Sequence, residues 1–197
     1  MRQRRGRDRG FTLLELMVTI AVLAILATIA VPTFLTFQKN SELTSAVNSL
    51  TAALSSARSE AMKRNLNAMV VPADTLRADW TAGWVVFVDS NQDGSYTDGT
   101  DLVVLKRAAL PSYITVTGTD TAGGTPAYLQ YDGSGFLRNA QTSASANATL
   151  SFARTDVTGA AGYAQTRRLK VAATGRFRVC TPTSGTDAAC SSSAGSF

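Results

Sequence analysis

From Phe11 to Phe37 the chain reads FTLLELMVTIAVLAILATIAVPTFLTF, with Glu15 as its only charge. Between Leu16 and Val31 the polar residues are Thr19 and Thr28, and a threonine can return its hydroxyl hydrogen bond to the helix backbone. About 20 residues of this kind cross the hydrocarbon core of a bilayer as a helix. Ahead of the run, Arg2, Arg4, Arg5, Arg7 and Arg9 stand against Asp8 alone. Such a basic leader stays cytoplasmic, which sends the rest of the chain across the membrane. A cleaved secretory signal fits poorly, because Ala-Thr-Ile-Ala-Val-Pro at the end of the run matches a signal cleavage site only loosely. A plain anchor leaves Glu15 unexplained. A carboxylate in hydrocarbon costs about 2.5–3.5 kcal/mol on insertion scales, so it calls for a partner.

Composition narrows the remainder. Apolar residues make up 45% of the 197, enough to bury a core. The formal charge of +5 resides mostly in the leader: without residues 1–10, fourteen basic side chains face thirteen acidic ones. Bulk charge therefore gives no argument for a polyanionic partner, and only local patches can. Histidine is absent, which removes the commonest general base and metal ligand. With no nucleophile and base in sight, the chain reads as a non-enzyme without a cofactor. Cys180 and Cys190 suit a small loop staple, worth roughly 2–3 kcal/mol in an oxidising compartment. Two free thiols would be the cytosolic alternative.

The helix is expected to continue beyond the membrane. Leu43, Val47, Leu50, Leu54, Ala57 and Ala61 recur at three- and four-residue steps, with Lys39, Glu42, Asn48, Ser55 and Arg58 elsewhere around the circle. Glu60 and Arg64 form a surface pair, and Asn65 to Asn67 suits a stop. Beyond Asn67 the pattern changes to short strand-like runs at 68–71, 83–89, 102–107, 113–117, 127–131, 149–153, 167–172 and 176–180, separated by turn-rich segments. Residues 118–126 and 139–148 read as loops. The expectation is an α+β fold, a long N-terminal helix packed on antiparallel sheets. It divides into a leader (1–10), a transmembrane part (11–37), an amphipathic half (38–66) and a β domain (67–197) ending in the Cys180-Cys190 loop.

The stretch Arg9-Gly10-Phe11-Thr12-Leu13-Leu14-Glu15-Leu16 resembles the prepilin peptidase site of type IV pilins and type II secretion pseudopilins. That resemblance implies cleavage between Gly10 and Phe11, methylation of the new amine, and pairing of Glu15 with the amine of Phe11 during assembly. Cleavage would then create the cation that a buried carboxylate needs. Pro32 matches the proline that commonly bends the helix of this family. The run Gly83-Trp84-Val85-Val86-Phe87-Val88-Asp89, with its turn and Leu102-Val103-Val104-Leu105, resembles the GspH/FimT subfamily. Its members are pseudopilus subunits or minor pilins, some of which bind DNA during natural transformation.

Asp89-Ser90-Asn91-Gln92-Asp93-Gly94 copies the opening of a calcium loop. The closing glutamate is missing, since Thr100 stands in its place, and a strand-like run precedes it. An Asn/Asp/Gly hairpin turn is therefore expected and no metal is assigned.

Charge is segregated along the chain. From Gly133 to Gly185, Arg138, Arg154, Arg167, Arg168, Lys170, Arg176 and Arg178 face Asp156 alone, whereas six aspartates face Arg77 between Asp74 and Asp101. On a strand, Arg176 and Arg178 share one face about 6.6 Å apart. Two guanidinium forks so placed suit phosphate oxygens, with Arg167, Arg168 and Lys170 extending the track. Gly175-Arg176-Phe177-Arg178 also matches the Gly-Arg-x-Arg element associated with DNA binding in FimT-like minor pilins. The reading is a minor type IV pilin that binds double-stranded DNA without sequence preference, touching three to five phosphates. The alternative is a structural pseudopilin or pilus-priming subunit. Both readings imply other pilins, prepilin peptidase and the membrane as partners. They also imply a single pass through the inner membrane, a periplasmic C-terminal domain and incorporation into a filament.

Overall fold

The computed structural model describes residues 11–193. They divide into two compact units between Ser41 and Glu42. Helix α1 (Leu13–Arg64) runs through Pro32 and contributes to both. In the first unit every residue from Phe11 to Phe37 is exposed, and among the described residues α1 is the one helix long and apolar enough to cross a membrane. The threonines of this run do return their hydroxyls to the helix: Thr19 Oγ1 donates to the Leu16 carbonyl at 2.8 Å and Thr28 Oγ1 to that of Ile25 at 2.7 Å. Each therefore leaves little unsatisfied polarity on the apolar surface of the helix.

In the second unit the apolar stripe turns inward. Leu43, Val47, Leu50, Leu54, Ala57 and Ala61 are all buried, joined by Ala46 and Ala53. Burying each leucine contributes about 1.5–3 kcal/mol. The helix stops at Asn65, whose φ of 53° is left-handed, while the Leu66 amide donates to the Ala61 carbonyl at 3.3 Å. That pairing satisfies one of the carbonyls that a helix end leaves free. Glu60 and Arg64 meet at 2.7 Å on the outer face.

The strands are β1 (Ala68–Pro72), β2 (Trp84–Val88), β3 (Leu102–Arg107), β4 (Ile114–Gly118), β5 (Leu129–Tyr131), β6 (Leu137–Arg138) and β7 (Ala148–Arg154). A short helix α2 (Ala160–Ala164) precedes β8 (Thr166–Val171) and β9 (Phe177–Cys180). They build two antiparallel sheets, ordered β3-β2-β1-β5-β6 and β4-β7-β8-β9. Strand alternation sorts the side chains. Ala68 and Val70 join the main core under α1, while Met69 and Val71 face a second small core with Val85, Phe87 and Tyr128. In the other sheet Leu150, Phe152, Leu169 and Val171 enter the main core, so Arg168 and Lys170 emerge on the opposite face.

Candidate functional site

Two places carry the candidate residues. At the start of α1, Gly10 lies outside the described residues, and Phe11 is exposed. The Glu15 carboxylate accepts from the Thr12 amide at 3.0 Å and the Thr12 hydroxyl at 3.1 Å, while Thr12 Oγ1 accepts from the Glu15 amide at 3.2 Å. This is a reciprocal capping box, in which two otherwise unpaired helix amides are satisfied. The sequence reading missed that role, although Thr-x-x-Glu ahead of an apolar run is its standard signature.

The second place is the β8–β9 hairpin. Its turn brings Gly175 to a φ of 76°, and a Cβ there would sit 2.1 Å from the Gly135 carbonyl oxygen. Glycine is thus required by backbone geometry. Arg58 of α1 lies against the same turn and donates to the Thr174 carbonyl at 3.2 Å. Arg176 is exposed, its guanidinium without a hydrogen bond or ion pair among the described residues, and it borders a cavity of about 480 Å³ with Asn147, Phe177 and Arg178. Arg178 is exposed on β9, where Nη2 donates to the Ala189 carbonyl.

The expected track of five cations is not continuous. Lys170 is fully enclosed and Arg168 is 9% exposed. Arg168 donates to the Cys190 carbonyl, and the Lys170 ammonium donates to the carbonyls of Ser191 at 3.1 Å and Ser193 at 2.8 Å. Their covering segment, residues 181–193, lies on the face that strand alternation would otherwise leave to solvent. Burial, with the Arg178 and Arg168 guanidiniums nearby, holds the Lys170 ammonium below the ordinary lysine range. Arg167 alternates onto the other face and is half-exposed, donating to the Ala164 and Thr166 carbonyls at 2.8 and 2.9 Å. Two further cations are paired: Arg138 with Asp132 at 2.7 Å and Arg154 with Asp156 at 2.8 Å.

The covering segment is held by Cys180–Cys190, with Cα atoms 5.9 Å apart, and by Asp187. The Asp187 carboxylate accepts from the Thr183 amide and hydroxyl at 2.9 and 3.0 Å, and from the amides of Ala189 and Cys190 at 3.0 and 3.1 Å. Led by the Thr183 amide, these bonds hold its carboxyl below the usual range. A depressed pKa contributes stability above the unfolded-state value and loses it as pH falls through the folded one. Acidification of the wild type from neutral to about pH 2 should therefore lower Tm through this group among others. In Asp187→Asn that part of the fall should be missing, with Tm already lower at neutral pH.

The acidic loop is organised mainly by its own carboxylates, with Arg77 and Lys106 reaching it from outside. Asp89 accepts from the amides of Asp93 and Gly94, and Asp101 from those of Ser90 and Thr97. These carboxylates shape a turn with their own backbone, and among the described residues no cluster of three metal-ligating side chains forms.

Comparison with known proteins agrees with this architecture. The family described as "Type II transport protein GspH" matches residues 46–189, and the "Prokaryotic N-terminal methylation motif" matches residues 5–31. A type IV major pilin protein PilA of Myxococcus xanthus is 50% identical over 46 residues, covering 23% of this chain and 21% of that protein. A fimbrial protein of Pseudomonas aeruginosa is 30% identical over 98 residues, covering 45% of this chain and 64% of the relative. The chain thus spans less than two thirds of the length of these relatives. The crystal structure of the P. aeruginosa type IV minor pilin FimU superposes with a TM-score of 0.53 at 19% identity, over 75% of this chain and 98% of that one. A methylation motif at the head of an apolar helix, followed by a domain matched almost from end to end, leaves one assignment: this chain belongs to the GspH family of pilin-like proteins.

Proposed function

We propose that this chain is a minor type IV pilin, a non-enzymatic filament subunit cut after Gly10, methylated at Phe11 and held in the inner membrane by residues 11–37. The carrying observation is the unpartnered apolar surface of α1, where Phe11, Leu13, Ile25, Ile29, Phe34 and Phe37 are each exposed by 65% or more. In a membrane that surface meets lipid, and in a filament it meets neighbouring subunits' helices. Mass spectrometry of the chain produced with and without prepilin peptidase is the test. An N-terminus at methylated Phe11 is expected only with the peptidase, and a full-length N-terminus in both would overturn the reading.

The DNA-binding part rests on Arg176 and Arg178, two exposed guanidiniums two residues apart at the start of edge strand β9, the first without a side-chain partner among the described residues. The enclosure of Arg168 and Lys170 lowers the number of phosphates engaged to about two, so log affinity should fall with log salt at a slope near −2. Arg176→Ala/Arg178→Ala is expected to abolish salt-sensitive binding to double-stranded DNA, read by fluorescence anisotropy with the fold checked by circular dichroism. Equal binding by the variant would take the contact away from these two arginines, and no binding by the wild type at low salt would leave the structural pseudopilin or pilus-priming reading in its place. One copy binds weakly on two contacts, and copies arrayed in a filament would add by avidity.

A further inference from the structure

The antiparallel register sets Lys170 opposite Arg178 and Arg168 opposite Cys180, so three cations stand together on the outer face of β8 and β9. A single stretch of chain encloses Arg168 and Lys170 and takes a bond from the exposed Arg178. Residues 181–193 leave β9, are tied back to its last residue by Cys180–Cys190, and turn backbone carbonyls inward. The Ala189 carbonyl takes Arg178, that of Cys190 takes Arg168, and those of Ser191 and Ser193 take Lys170. Arg168 Nε, also enclosed, meets no acceptor among the described residues. The four bonds named go to neutral backbone oxygens. A hydrogen bond from the same cations to an ionised phosphate oxygen would be roughly twice as strong.

We infer that residues 181–193 are a disulfide-held strap over a second phosphate-binding surface, formed by Arg168, Lys170 and Arg178, which engages the backbone of double-stranded DNA once the strap is released. The choice of DNA as occupant rests on the reading of Arg176 and Arg178 above. Release follows reduction: two electrons and two protons pass from a dithiol to Cys180 and Cys190, and the dithiol closes to its own disulfide.

The test uses the full chain in neutral detergent, oxidised, reduced with dithiothreitol, and as Cys180→Ser/Cys190→Ser. Acetylation of Lys170 by an amine-reactive reagent, measured by mass spectrometry against exposed Lys63 and Lys106, should rise on the order of tenfold when the strap opens. Hydrogen exchange of β7 should stay unchanged. The salt slope of DNA binding should steepen by about 1.8, two phosphates at about 0.9 each, and Lys170→Gln in the double-serine protein should remove about half of that gain. Continued protection of Lys170 after reduction overturns the strap, as does simultaneous loss of β7 protection, which would make the disulfide a support of the whole domain. An unchanged slope with Lys170 labelled, or no DNA binding in any form, overturns the phosphate surface. Failure of the Arg176→Ala/Arg178→Ala variant to weaken the oxidised protein overturns only the earlier reading, because the Lys170 and slope changes are measured on release.

Discussion

Gly175→Ala is expected to lower the free energy of unfolding by about 2–5 kcal/mol, read by urea denaturation of the detergent-solubilised chain with an unchanged m-value. Two costs add. The left-handed backbone at φ 76° disfavours any Cβ, by about 1–2 kcal/mol. The added methyl also lands 2.1 Å from the Gly135 carbonyl oxygen and 3.0 Å from Arg58 Nε, and overpacking of that kind costs about 1–3 kcal/mol. Gly94→Ala separates the two contributions. Gly94 has a φ of 72° with nothing within 4 Å of the added atom, so about 1 kcal/mol is expected there. Similar losses at both positions would show that the hairpin turn moves away from Gly135 without cost. This bears on function, because the glycine of Gly-Arg-x-Arg has a structural reason to exist that owes nothing to DNA. Weaker DNA binding by a Gly175 variant would report a displaced hairpin, and only the arginine variants test the contact itself.

The helix and most strands were legible because each obeys a period. The 3.6-residue stripe from Leu43 to Ala61 and the alternation along 149–153 and 167–172 translate directly into buried faces. The strand β6 was not legible, since two residues carry no period, and the five-residue α2 lies in a segment read as connection. The basic patch fails for a different reason. Alternation correctly places Arg168 and Lys170 away from the core, but whether that outer face is wet depends on a chain segment that arrives later. Residues 181–193 hold only Asp187 as a charge and are rich in serine and threonine, a composition that reads as solvated loop. What marks them as a cover is the closure at Cys190 and the Asp187 carboxylate organising the turn, both of which need three-dimensional placement to interpret. The same limit applies at Arg138, whose partner Asp132 lies just N-terminal to the basic stretch that begins at Gly133.

Glu15→Val is expected to leave cleavage after Gly10 intact and to reduce filament incorporation on the order of 100-fold, as an unpaired charge in hydrocarbon costs about 2.5–3.5 kcal/mol. Two physical roles compete for this residue. As the third position of the capping box it accepts the Thr12 amide, a local contribution of about 1 kcal/mol to the first helical turn. In the proposed pilin, as a carboxylate at membrane depth, it would neutralise the amine that cleavage would create at Phe11, within a subunit or between neighbours. Glu15→Gln distinguishes them, because a glutamine amide retains an acceptor for the capping box but carries no charge. If pairing with the amine dominates, Glu15→Gln should fail in assembly nearly as badly as Glu15→Val, while both are processed to the same N-terminus. If capping dominates, Glu15→Gln should assemble almost normally and the charge-pairing account is lost. The magnitudes favour the first outcome, since about 1 kcal/mol of capping is small beside the cost of leaving one charge of the pair alone in lipid. Filament yield and the N-terminal mass, measured on the same preparations, decide it.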